Sequence, residues 1–236
     1  MNKIDELSIF FPFWNEEKNV EIVVKNAIPF AKKVAKKWEI IIVDDGSSDN
    51  TLKIANRLAK ENRNVVVASH QPNRGYGAAL KEGFDKARYN TIVFTDGDRQ
   101  FDFSQVKRFI ERIDKADMVI GFREKRVDHP VRHVLMMLLR VWDFIFFRIY
   151  FKDIDCGFKM IKRESLNKIL PFKSEGAMIT TEILAKAKAA KLKIVQVKVT
   201  HLPRKFGDQS GGNVRVVVRA IRESFNLWKE LKNGRA

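Results

Sequence analysis

Short runs of β-branched and aromatic residues alternate with helix-length segments through the first half of the chain, and that alternation constrains the fold more than any other feature. Runs at Leu7–Trp14, Glu39–Val43, Val65–Ser69, Thr91–Thr95 and Met118–Gly121 read as strands. Helical periodicity covers Glu16–Lys37, with Asn15 as its N-cap, then a stretch to about Glu61, a segment through Arg88, and Ser104–Asp114. Such alternation predicts βαβ units, whose right-handed crossovers put helices on both faces of a sheet. The expected class is α/β, with a mostly parallel central sheet flanked by helices.

The second half is less regular. A loop from Phe122 to Pro130 leads to an apolar segment, Val134–Phe151, then to Cys156–Ile161, a helix across Thr180–Ala190 and a strand at Lys193–Thr200. A last helix, Val214–Leu231, places Val214, Val217, Val218, Ile221, Phe225 and Trp228 on one face at helical spacing. Neither a repeat nor a linker interrupts the chain. One domain over residues 1–212 with an amphipathic helix over 213–236 is expected.

A chain of 236 residues that is 45% hydrophobic can bury a sizeable core. Its single cysteine, Cys156, allows no internal disulfide, and no signal-like apolar stretch opens the sequence, so a cytoplasmic location is expected. The formal charge of +16 favours anionic partners: phosphorylated substrates, acidic lipid or nucleic acid. Val134–Phe151 contains Arg140, Asp143 and Arg148, which are costly at a bilayer centre, so it is not expected to span a membrane. Its two readings are a core helix on the sheet and an interfacial helix, about 130–151, lying on the membrane surface.

Two strands end in acids: Asp44-Asp45-Gly46 and Asp96-Gly97-Asp98. In a parallel sheet both turns face the carboxyl edge, where ligands bind, and crowded carboxylates repel unless a cation or a donor-rich ligand lies between them. Hard oxygen ligands suit Mg2+ or Mn2+, with a diphosphate supplying further oxygens. Between the turns, Asn73-Arg74-Gly75-Tyr76-Gly77-Ala78-Ala79 is a small-residue loop; it either holds phosphate at a helix start or only lets that helix pack closely.

These motifs resemble the family 2 glycosyltransferases, and within them the dolichyl-phosphate (polyprenyl-phosphate) mannose synthase branch. The resemblance runs in order through Pro12-Phe13-Trp14-Asn15-Glu16, Ile42 to Thr51, Asn73 to Ala79, Asp96 to Gln100, Gly121-Phe122-Arg123, Asp155 to Lys159, and His201 to Ser210. It implies the GT-A nucleotide-diphospho-sugar transferase fold. It further implies a nucleotide pocket from Pro12, Trp14, Glu16, Val43, Asp44 and Asp45, with Trp14 in place of the more usual tyrosine. Asp96, Gly97 and Asp98 would meet the donor diphosphate and its Mg2+ or Mn2+, with Gln100 completing the metal site. Arg123 and Arg132 would bind phosphate of donor or acceptor; Arg204, with Ser210, would close over the diphosphate. Arg99 and Phe101 replace the Leu and His that often flank Gln100.

The expected activity is inverting transfer of a sugar, first mannose from GDP-mannose, to a polyprenyl or dolichyl phosphate. The expected place is peripheral, on the cytoplasmic face of a membrane, with attachment direct or through a membrane-embedded partner protein. An anionic phosphate acceptor needs no strong base; a hydroxyl acceptor with a UDP-sugar would need one, with Asp98 or Glu182 as candidates. A haloacid-dehalogenase-type phosphatase lacks a use for Asp44-Asp45, and no nucleic-acid-binding signature accompanies the charge.

Overall fold

The computed structural model describes residues 3–124, 141–206 and 214–234, the side chains of 214–218 excepted. Arg132 and Ser210, with Lys125, Arg126, Arg140 and the start of the Val134–Phe151 segment, lie outside the described residues. A seven-stranded sheet has the order β3-β2-β1-β4-β6-β5-β7. Its strands are β1 (Ile4–Phe13), β2 (Ala35–Asp44), β3 (Val65–Ser69), β4 (Thr91–Phe94), β5 (Met118–Arg123), β6 (Lys159–Lys162) and β7 (Ile194–Val199). All run parallel except β6, which lies antiparallel between β4 and β5. This is the expected α/β class.

Burial on both faces explains the near-continuous apolar strands. In β1, Ile9, Phe11 and Phe13 pack to one side with Ile40 and Ile42 of β2, whereas Phe10 and Ile41 pack to the other. The first side is covered by α1 (Val20–Val34), α2 (Thr51–Glu61) and α4 (Val106–Ile113). The second is covered by α3 (Tyr76–Lys86), α5 (residues 141–147), α6 (Arg163–Asn167), α7 (Ile179–Ala189) and α8 (Val214–Lys232).

Three expected boundaries move. Asn15 does not cap α1: it has φ 53, and Asn19 precedes the helix. β1 begins at Ile4 rather than Leu7, and the chain enters β2 at Ala35 where a helix to Lys37 was expected. The parallel ladder runs on to Ile4 and Ala35, so pairing with β1 holds Ala35–Lys37 extended, with Lys36–Asp5 at 2.7 Å and Lys37–Glu6 at 3.3 Å as exposed pairs alongside.

Candidate active site at the carboxyl edge of the sheet

The chain runs from β1 outward to β2 and β3, then returns to place β4 on the other side of β1. That reversal is the topological switch point at which open α/β sheets bind ligands. Phe13 lies in register with Asp44, so the β1 and β2 ends open together, and Asp96–Asp98 follow directly on β4. Stitching between turns shapes the cleft. The Asn15 Oδ1 accepts from the Ser48 amide at 2.8 Å, the Glu16 amide donates to Thr51 Oγ1 at 2.8 Å, and the Glu17 amide donates to Asp49 at 3.0 Å. Pro12 and Val43 are buried strand residues behind this edge, while Trp14 projects from it, 46% exposed.

Asp96 and Asp98 stand together on the cleft floor. Asp96 Oδ1 accepts from the Tyr76 hydroxyl at 2.8 Å, and its carboxylate lies against Gly157, where any side chain would collide with it. Asp98 Oδ1 accepts from the Gln100 amide at 3.0 Å, and its Oδ2 is 3.8 Å from Arg204. Burial, then the neighbouring Asp96 charge, pushes Asp98 up to about 7. Burial also raises Asp96, against the pull of Tyr76, Arg123, Lys159 and Arg204. Two carboxylates that cannot comfortably hold charge together are a ready seat for a divalent cation. Among the described residues no three His, Cys, Asp or Glu converge as a complete metal site. Asp96 and Asp98 therefore fit a cation that takes its other oxygens from a diphosphate and water. The Gln100 side-chain amide donates to Leu202 O at 3.2 Å, so only its Oε1 remains to turn toward such a cation.

Arg204 spans the cleft. Its guanidinium donates to Glu16 Oε1 and to Phe206 O, joining the 201–206 segment to the turn after β1. Burial raises the Glu16 carboxyl, with Asn19 and Arg204 opposing the rise. Glu16, Asp98 and Arg204 are thus one contiguous group.

Other expected ligands are held by the protein itself. Asp45 accepts from His70 at 2.7 Å, Asn73 at 2.9 Å and the Arg74 amide at 2.9 Å, so its carboxylate organises the 70–75 loop. Asp44 is buried, with Oδ2 accepting the Ser47 amide and Oδ1 without a hydrogen-bond partner among the described residues. Arg123 forms a bidentate pair with Asp153, at 2.6 and 2.8 Å, rather than projecting its fork into the cleft. Burial disfavours its charge, but Asp153 outweighs that and holds the guanidinium above its ordinary value. Gly97 answers to packing, since a side chain there would run into the Phe13 ring. Glu182 is not a free base: it is 1% exposed, accepts the Lys173 and Ser174 amides and pairs with Lys186 at 3.0 Å.

Tyr76, Asp153, Gly157 and Lys159 are site residues that the motifs did not assign. Lys159 is fully buried and donates to Ile154 O and Cys156 O, fixing the turn that carries Gly157 against Asp96. A lysine at the start of an apolar strand was the one available signal, because an internal ammonium needs local acceptors.

The profile of glycosyl transferase family 2 matches residues 8–170, and the chain belongs to that family. Its fold is the GT-A fold, shared with glucosyl-3-phosphoglycerate synthase from Mycobacterium tuberculosis at TM-score 0.72 and 19% identity, over 95% of this chain and 80% of that one. Among curated proteins, dolichyl-phosphate beta-glucosyltransferases are similar. The Saccharomyces cerevisiae protein is 31% identical over 94% of this chain and 72% of its own length; that of Dictyostelium discoideum is 30% identical over 97% and 78%. An undecaprenyl-phosphate 4-deoxy-4-formamido-L-arabinose transferase from Proteus mirabilis is 26% identical over 91% of this chain and 65% of its own.

Proposed function

We propose that the protein transfers a sugar from a nucleotide diphosphate donor to a polyprenyl or dolichyl phosphate, with inversion at the anomeric carbon. The observation that carries this reading is the Asp96–Asp98 pair facing Arg204 and Glu16 across the switch-point cleft. Asp96 and Asp98 would hold Mg2+ or Mn2+, which when bound supplies positive charge against the departing diphosphate. Arg204, already next to Asp98, would add a guanidinium to the same oxygens. Trp14, half-exposed at the end of β1, offers a face for the base. The acceptor phosphate oxygen is anionic and forms the new bond to the anomeric carbon as the bond to the diphosphate breaks, so no general base is required. The buried bonds of Glu182 agree with that economy.

The relatives' names favour glucose over mannose as the transferred sugar, and UDP over GDP, the nucleotide in the solved Mn2+ complex of the M. tuberculosis synthase. The lipid-phosphate acceptor has the same support. The proposed setting is the cytoplasmic face of a membrane, bound peripherally; none of the helices searched among the described residues is long and apolar enough to cross one. The test is titration of UDP-glucose, GDP-mannose and UDP-N-acetylglucosamine with Mn2+, then turnover with each on polyprenyl phosphate and extraction of the lipid product. UDP-glucose is expected to bind and to label the lipid. Label appearing only on water-soluble hydroxyl acceptors would overturn the acceptor assignment.

A further inference from the structure

The remotest part of the chain is wired to the first acid of the site. Glu223, on α8, accepts the Glu175 amide at 3.1 Å, the Gly176 amide at 3.2 Å and Arg219 Nε at 3.0 Å, all on Oε1. The same turn returns a carbonyl to α3: Glu175 O accepts the Gly77 amide at 2.8 Å and the Ala78 amide at 3.3 Å. The fit is close, for a side chain at Gly75 or Gly77 would collide with Glu175 backbone, and Gly75 also has φ 108. Between those glycines stands Tyr76, whose hydroxyl donates to Asp96 Oδ1. Asp96 is thereby clamped, with Tyr76 on one oxygen and the bare Cα of Gly157 on its other side.

We propose that Tyr76 is a positioning residue for the donor diphosphate, and that α8 sets its place through the 174–176 turn by way of Glu223. This rests on the reading of Asp96 as a diphosphate and metal ligand. The hydroxyl fixes the carboxylate orientation, so that the remaining lone pairs of Asp96 face the cleft beside Asp98 without a search at binding. The surrounding ion pairs, Arg74–Glu175 at 2.8 Å and Arg219–Glu175 at 3.1 Å, involve half-exposed side chains and contribute little. The two backbone amides held by one carboxylate are charge-assisted and directional, and they do the positioning. Plain packing of α8 predicts something different: loss of Glu223 would lower stability and leave the donor site alone.

The experiment compares Tyr76→Phe, Glu223→Ala, Glu223→Gln and the double variant Tyr76→Phe/Glu223→Ala. Readouts are titration of UDP with Mn2+, KM for donor and for lipid phosphate separately, and the thermal midpoint. Tyr76→Phe keeps the ring and is expected to weaken UDP–Mn2+ binding and raise donor KM about tenfold, the loss typical of one hydrogen bond to a charged group, with acceptor KM unchanged. Glu223→Ala should shift the same two quantities in the same direction, and Glu223→Gln, which keeps an acceptor oxygen, should restore them. Because both act on one carboxylate, the double variant should be no worse than Tyr76→Phe. If Glu223→Ala does not fold, Glu223→Asp, whose shorter side chain draws the carboxylate back from the two amides, takes its place with the same directions expected. Unchanged donor binding in Tyr76→Phe, or Glu223 variants that move only the midpoint, overturns this inference while the transferase reading stands. A wild type that binds neither UDP nor GDP overturns both.

Discussion

A carboxyl raised by burial behaves opposite to a salt-bridged one, and Asp98 can be read that way. Its folded value of about 7 lies well above the ordinary ~4 of an unfolded aspartate. Between those values the folded protein holds the proton that the unfolded chain releases, so without metal, stability falls as pH rises from about 4 through about 7. Asp98→Asn should therefore leave the metal-free stability nearly unchanged at pH 4 and increase it at pH 8, by on the order of 1 kcal/mol or more. Metal-dependent transfer should drop at least ~100-fold in the same variant. Scanning calorimetry in chelator at both pH values, with assays alongside, checks both; a variant less stable at pH 8 would sink the account of Asp98. These acids were legible because they end an apolar strand. Tyr76 was not, since its bond to Asp96 spans a loop and a crossover, and Gly97 invited a ligand explanation where the Phe13 ring suffices.

At the level of elements, the interior of each strand was readable and its margin was not. Ile40–Ile42 declare β2 by composition, but Ala35–Lys37 continue a helical pattern and are strand because the parallel ladder with β1 runs on to Ile4 and Ala35. Likewise the family resemblance implied a phosphate ligand at Arg123, whereas its partner, Asp153, lies in a segment without periodicity. That pair joins the end of β5 to the segment leading into β6, and both side chains are nearly inaccessible, at 8% and 1%. Removing one partner strands the other's charge, so Arg123→Ala is expected to cost about 3–5 kcal/mol of stability in urea unfolding. A residue that served donor phosphate alone would leave the unfolding midpoint where it was.

At the scale of the whole molecule, the two outer helices α5 and α8 sort their charge. On α5 the acid is Asp143, buried against Thr181; on α8 Glu223 turns to the 175–176 amides and Glu230 to Lys173 and Lys186. The outward face keeps Val141, Phe144, Ile145, Ile221 and Phe225 exposed, with cations seated on the rings: Arg148 over Phe144, Lys229 over Phe225 and Lys232 over Trp228. Trp142 and Phe146 stack beneath, and Trp142 donates to Ser224 at 2.6 Å, so the two helices present one surface. An apolar face edged by cations, its acids turned inward, suits an anionic lipid surface. Phe144→Glu/Phe225→Glu should thus abolish cosedimentation with vesicles containing phosphatidylglycerol and slow turnover on vesicle-borne polyprenyl phosphate. Titration of UDP with Mn2+ should be unchanged, because both side chains are exposed and neither takes part in the Glu223 bonds to the 175–176 amides. Wild-type binding should weaken steeply as salt rises, since screening acts on surface charge. Equal binding to neutral phosphatidylcholine vesicles, or wild-type binding by the double variant, would remove this face as the seat on the membrane.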